Sequence, residues 1–148
     1  MNSKSHPQAA FERVTAGHRE LKELLARIER ALEHRSASIA EVGDLLGQLG
    51  DRLIRHFMEE EDGGYFTEAL VHAPQLVNRA NELLAQHPKM STAAKQLVVE
   101  IKTPQDAERW WQETCRRFQA FEEELLKHER AEDRLLQEAY THDLGSHD

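Results

Sequence analysis

The sequence predicts an all-α protein, an antiparallel four-helix bundle, and three observations carry that expectation. Apolar residues recur at steps of three and four along four segments. Seven glycines and four prolines in 148 residues leave little turn chemistry for a β-rich fold. The connections are short, and amphipathic helices joined that way pack most simply as antiparallel neighbours. The length suits one domain with one core, read as residues 1–148 with the core over about 8–140 and polar tails at both ends.

The first helix is expected from about Gln8 to Leu32, because Phe11, Val14, His18, Leu21, Leu25, Ile28 and Leu32 share one face. The second is expected over about Ser38 to Asp62, with Val42, Leu45, Leu49, Leu53, His56 and Glu60 on its inner stripe. Asp62, Gly63 and Gly64 end it, glycine being suited to a left-handed exit. The third is interrupted. Tyr65 to His72 reads as a short helix, and Pro74 opens a longer one carrying Leu76, Ala80, Leu83, Leu84 and His87. Pro88 should kink or break it, with helix resuming from Met90 through Ala94, Leu97, Val98 and Ile101. The fourth begins at Thr103-Pro104-Gln105-Asp106, a capping threonine followed by proline and an acid in the first turn. Its inner stripe reads Trp111, Phe118, Phe121, Leu125, His128, Glu132, Leu135 and Ala139, with a polar, fraying tail from Thr141. Trp110 and Trp111 are adjacent, so at most one points inward.

Composition excludes several function classes. Hydrophobic residues at 39% and charged residues at 31% suit a soluble helical globule. No apolar stretch approaches the roughly 20 residues needed to cross a bilayer. A net charge of −8 argues against broad binding to nucleic acid or anionic membrane, which needs a basic surface. The first residues, MNSKSHPQAAFER, hold no apolar signal region, and the single Cys115 forms no internal disulfide; both fit a cytoplasmic protein.

The nine histidines are the informative residues. His6, His142 and His147 fall in tails, His34 at a helix end and His72 beside a proline turn, all read as solvent-exposed. The other four, His18, His56, His87 and His128, occur one per helix at positions the helix should bury. Two of them have a glutamate four residues later, as His56-x-x-x-Glu60 and His128-x-x-x-Glu132. A residue at i+4 lies about 40° around the helix, whereas i+5 lies about 140° away. That favours Glu60 over Glu59 and Glu61, and Glu132 over Asp133. One such pair is an ordinary helix-surface feature, and a lone core histidine is usually just hydrogen-bonded. The same anomaly on four helices is different, because buried imidazoles and carboxylates need partners and a cation can satisfy all six together. Mixed nitrogen and carboxylate ligation suits iron or manganese. Six ligands gather around two cations more naturally than one, with Glu60 and Glu132 bridging and the histidines outside. Phe11, Phe57, Phe118 and Phe121 read as core packing around the site.

These residues resemble the hemerythrin-like, or HHE cation-binding, family. The marks are GHRELKELL on the first helix, HFMEEE on the second, LLAQHP on the third and HERAED on the fourth, spanning about His18 to Tyr140. The resemblance implies an up-down-up-down bundle with a carboxylate-bridged non-haem di-iron centre held by His18, His56, Glu60, His87, His128 and Glu132. There is a departure. The oxygen-carrying members have a second third-helix histidine four residues after the first, where this chain has Ser91. They also place an aspartate five after the last histidine, where this chain has Asp133 beside Glu132. An iron short of one protein ligand would take water, dioxygen, nitric oxide, peroxide or a side chain such as Tyr65.

The leading expectation is therefore a di-iron protein that binds or senses dioxygen, nitric oxide, peroxide, redox state or iron. The alternatives are a di-iron enzyme reducing peroxide or nitric oxide and a metal-free helical interaction module. The sequence offers no evident proton relay and no second domain to deliver electrons, which weighs against the enzyme.

Overall fold

A computed structural model describes residues 6–64, 66–67, 70–71, 73–98 and 103–145. Among them there is helix and no strand. Helix α1 spans His6–His34, α2 Ile39–Asp62, α3 Val77–Ala85, α4 His87–Lys95 and α5 Ala107–Gly145. Single 3₁₀ turns at Pro74–Leu76 and Pro104–Asp106 lead into α3 and α5. Helix α1 packs against α2 and α5, α2 packs against α4, and α3 and α4 pack against α5. No helix among the described residues is long and apolar enough to cross a membrane.

Local chemistry sets the element ends. Ser38 caps α2: its hydroxyl accepts from the Glu41 backbone N–H at 3.1 Å, and the Glu41 carboxylate accepts from the Ser38 N–H at 3.4 Å. This reciprocal capping satisfies two donors that a helix start would otherwise leave open. At the other end the left-handed residue is Gly64, with φ 70°, one position later than the cap Gly63, which stays right-handed at φ −72°. Thr103 does act at the start of the last helical stretch, donating its hydroxyl to Asp106 at 2.8 Å, but a 3₁₀ turn intervenes before α5. Helix α5 continues past Thr141 to Gly145, since nothing before that glycine breaks it.

The third helical stretch is in two segments with Gln86 between them. Pro88 in the first turn of α4 has no N–H to continue the ladder from α3, and the chain restarts at His87. Leu97 and Val98 lie beyond the end of α4 at Lys95, although Leu97 still packs in the core. Tyr65, His72 and Ile101 lie outside the described residues. On α5 the inward tryptophan is Trp110 rather than Trp111. Trp111 is half-buried, with the Arg35 guanidinium 5.6 Å above its ring.

The core is divided. One apolar cluster gathers Leu21, Leu25, Leu53, Phe57, Met90 and Leu125 among others; a second gathers Val14, Phe66, Ala80, Leu83, Leu135 and Leu136. Along α1, His18 falls between Val14 of the second cluster and Leu21 of the first. Along α5, His128 and Glu132 fall between Leu125 of the first and Leu135 of the second. His87 sits between Leu83 and Met90 in the same way. A layer of polar side chains therefore crosses the bundle between two greasy ends.

Candidate metal centre

All six residues singled out by spacing are buried in that layer. His18, His56, His87 and His128 are no more than 7% exposed, and Glu60 and Glu132 no more than 1%. The imidazoles come as two pairs, His18 with His56 and His87 with His128, each with ring centroids 5.0 Å apart. Ligand-type atoms of His18, His56, Glu60 and Glu132 lie within 4.8 Å of one another, and so do those of His87, His128 and Glu132.

Both carboxylates reach both pairs. Glu132 Oε1 lies 3.0 Å from His18 Nε2, while its Oε2 lies 3.1 Å from His87 Nε2 and 3.2 Å from His128 Nε2. Glu60 turns Oε1 toward His56 and, at 4.0 Å, His18, and its Oε2 is 3.9 Å from His87 Nε2. The i,i+4 spacing accomplishes this on α2 and α5 by stacking imidazole and carboxylate one turn apart on the same face.

The outer nitrogens have their own partners. His18 Nδ1 is 2.8 Å from Asp133 Oδ1, His87 Nδ1 is 3.3 Å from Glu61 Oε1, and His128 Nδ1 is 2.8 Å from Gln86 Oε1. These oxygens accept, so Nδ1 carries the proton in each ring and Nε2 faces the interior. Bonds of this kind fix the tautomer and angle of a metal-binding histidine. Asp133 and Glu61, which stand five residues after a histidine and so off the inner face, act from outside the layer. His56 is seated differently: it lies against Gly17, where an added Cβ would come within 2.5 Å of Nδ1 and 2.6 Å of Cε1. Phe57 stacks flat on His87, with centroids 3.8 Å apart and planes 4° from parallel, and meets His128 edge-on.

Burial and mutual charge pull the groups of the layer in opposite directions. Burial opposes the charged ring of His18, but hydrogen bonds to Asp133 and Glu132 outweigh it and raise its pKa to about 10. Burial also opposes ionisation of Glu132, yet His128, His18 and His87 hold it well below the usual carboxylate range. Burial pushes Glu60 up to about 7, with His56 pulling against the rise and Glu132 adding to it. His56 Nε2, both Glu60 oxygens and His128 Nε2 are buried with no well-directed hydrogen bond among the described residues; the close His56–Glu60 contact is poorly aligned. Unsatisfied nitrogen and oxygen atoms converging from several helices are the donor set a divalent metal completes.

Sequence reasoning missed Glu129. It is 1% exposed, both its oxygens lack a hydrogen-bond partner among the described residues, and burial raises it to about 7 against the pull of His18, His56 and Lys22. Nothing in its spacing marked it, since it adjoins His128 in a charge run that otherwise faces solvent. His34 and His142 are exposed, as their positions suggested.

A helical bundle whose core is crossed by buried imidazoles from α1, α2, α4 and α5 and by buried carboxylates from α2 and α5 is of the metal-binding kind. The family profile of the hemerythrin HHE cation binding domain matches residues 9–142, and the chain belongs to that family. No curated protein and no solved structure matches it significantly.

Proposed function

We propose that this chain is a non-haem iron protein holding a carboxylate-bridged di-iron centre, and that it binds or senses a small ligand such as dioxygen, nitric oxide or peroxide. The carrying observation is that Glu60 and Glu132 each turn one oxygen toward the His18–His56 pair and the other toward the His87–His128 pair. In this reading His18, His56 and the two carboxylates hold one iron, and His87, His128 and the same carboxylates hold the other. When bound, the iron pair supplies redox-active positions that accept a diatomic or peroxide ligand.

The protein's own residues do the rest. Asp133, Glu61 and Gln86 aim three imidazoles inward by holding their Nδ1 protons. Phe57 covers His87 and excludes water from that side. Ser91, half-buried one turn after His87, offers no third imidazole, so each iron would have two imidazoles and the shared carboxylates as protein donors, fewer than six, and would be open to an exogenous ligand. The order in which the helices cross from one apolar cluster to the other supports an up-down-up-down arrangement of a single domain. Cys115, half-buried and unpaired, is in keeping with a reducing cytoplasm.

The direct test is metal analysis after anaerobic reconstitution with ferrous iron, together with a visible spectrum. Two irons per chain are expected. One iron removes the bridging roles, and none overturns the metal reading.

A further inference from the structure

Among the described residues, a wide groove and a smaller cleft both reach the polar layer, and their chemistry is opposite. A groove of about 990 Å³ between α3–α4 and α5 has Leu83, Met90 and Phe121 on its floor and touches His128. Its charged lining is mostly cationic, Lys89, Arg117 and Lys127 against Glu124. A smaller cleft of about 230 Å³ lies on the seam between α1 and α2 and reaches His56 and Glu60. Its rim carries Glu20 and Glu59, both exposed, against the one cation Arg13.

We propose that the α1–α2 cleft is the port through which a divalent metal cation enters, with Glu20 and Glu59 as its first, transient carboxylate contacts. The proposal rests on the metal-centre reading above and adds the route. Three features carry it. The cleft ends on Glu60, whose buried oxygens both lack a hydrogen-bond partner among the described residues, and on His56, whose Nε2 is in the same condition. A cation moving inward thus passes from solvated carboxylates at the rim, past Val14, Ala16 and Gly17, to unsatisfied carboxylate oxygens at the end of the cleft. Gly17 lines the cleft, and the missing side chain keeps the seam open where a Cβ would press on the His56 ring. The wide groove is a poor alternative for a cation, because its lysines and arginine repel positive charge and its floor cannot replace the ion's water. A mouth lined by charge opposite to the incoming ion focuses it and raises its arrival rate.

Two exposed-residue variants decide the route, Glu20→Gln/Glu59→Gln in the cleft and Lys89→Gln/Lys127→Gln in the groove. Each is mixed anaerobically with ferrous iron, the free ion is followed by competition with a chromophoric chelator, and bound iron is counted at the end. The cleft variant is expected to load about three- to tenfold more slowly at low ionic strength, with the gap closing in high salt and the final iron content unchanged. The groove variant is expected to load at the wild-type rate. A cleft variant that loads normally, or a groove variant that loads faster, overturns the port. Lower final iron in the cleft variant also overturns it, by assigning Glu20 or Glu59 to the centre itself. Wild-type protein that takes up no iron overturns the metal reading and the port with it, whereas normal wild-type content with an unaltered variant rate overturns the port alone.

Discussion

Asp133 Oδ1 stands 2.8 Å from His18 Nδ1, on the far side of the ring from the nitrogen that faces Glu132. The two neighbouring acids of α5 therefore hold one imidazole from opposite sides. Glu132 meets it within the buried layer, and Asp133, its side chain 29% exposed, meets it from the rim. Their substitutions should separate. Glu132→Ala is expected to remove most of the bound iron. Asp133→Ala is expected to keep the stoichiometry at saturating metal and to weaken affinity by about 10- to 100-fold, the usual effect of losing a residue that orients a histidine ligand. Iron titrations of both proteins check this, and loss of iron from Asp133→Ala alone would reverse the two roles.

Metal removal should cost stability. Four buried imidazoles and two buried carboxylates would face one another without the cation that satisfies them, and an ion that binds only the folded chain stabilises it by mass action. Chelation is expected to lower Tm, and iron added back should restore it. Identical melting curves, with removal verified by metal analysis, would instead favour a polar core complete without metal.

Gly17→Ala should damage the centre without touching a ligand. The new Cβ would stand 2.5 Å from His56 Nδ1, so the ring must move. The helix itself gains slightly from alanine in place of glycine. The expected result is a folded protein with unchanged helical circular dichroism and weakened iron binding. Wild-type affinity would show that His56 is free to shift without consequence.

Glu129 gives the metal-free protein a pH signature. Its folded pKa of about 7 lies above the ordinary 4.5, so burial costs nothing at low pH, and the cost grows between about pH 4.5 and 7 and is complete above that. A rise of that size corresponds to roughly 3 kcal/mol at most. The charged groups around it are His18, His56, Lys22 and Glu132. Glu129→Gln, stripped of metal, is expected to melt at the wild-type temperature near pH 4.5 and several degrees higher at pH 8. Parallel melting scans across that range test it, and an equal advantage at both pH values would point to packing rather than charge.

What the sequence revealed followed from periodicity. A histidine in an apolar stripe is conspicuous, and i+4 spacing says which carboxylate shares its face, so His18, His56, Glu60, His87, His128 and Glu132 were all legible as one inward set. The residues that hold the rings were not. Asp133, Glu61 and Gln86 sit off the inner face and look like surface polar residues until the neighbouring helix is in place. Gly17 was silent because its contribution is an absent side chain, felt only by a ring on another helix. Trp110 and Trp111 are 100° apart on the wheel, and α5 is rotated enough to bury the first. Pro88 made a break readable from its chemistry, but the break falls at Gln86, ahead of His87, and the direction of that ring depended on packing against α2 and α5.

That break has a mechanical consequence. Gln86, the residue between α3 and α4, precedes His87 in the chain and accepts the Nδ1 proton of His128 across the bundle. One joint in the backbone therefore governs both imidazoles of one half of the site. The other half, His18 and His56, is mounted on α1 and α2, helices of 29 and 24 residues that run unbroken through the layer. Both imidazoles of that half thus depend on the Gln86 joint, His87 through the chain and His128, itself on the unbroken α5, through its hydrogen bond, whereas His18 and His56 stand on helices without such a joint.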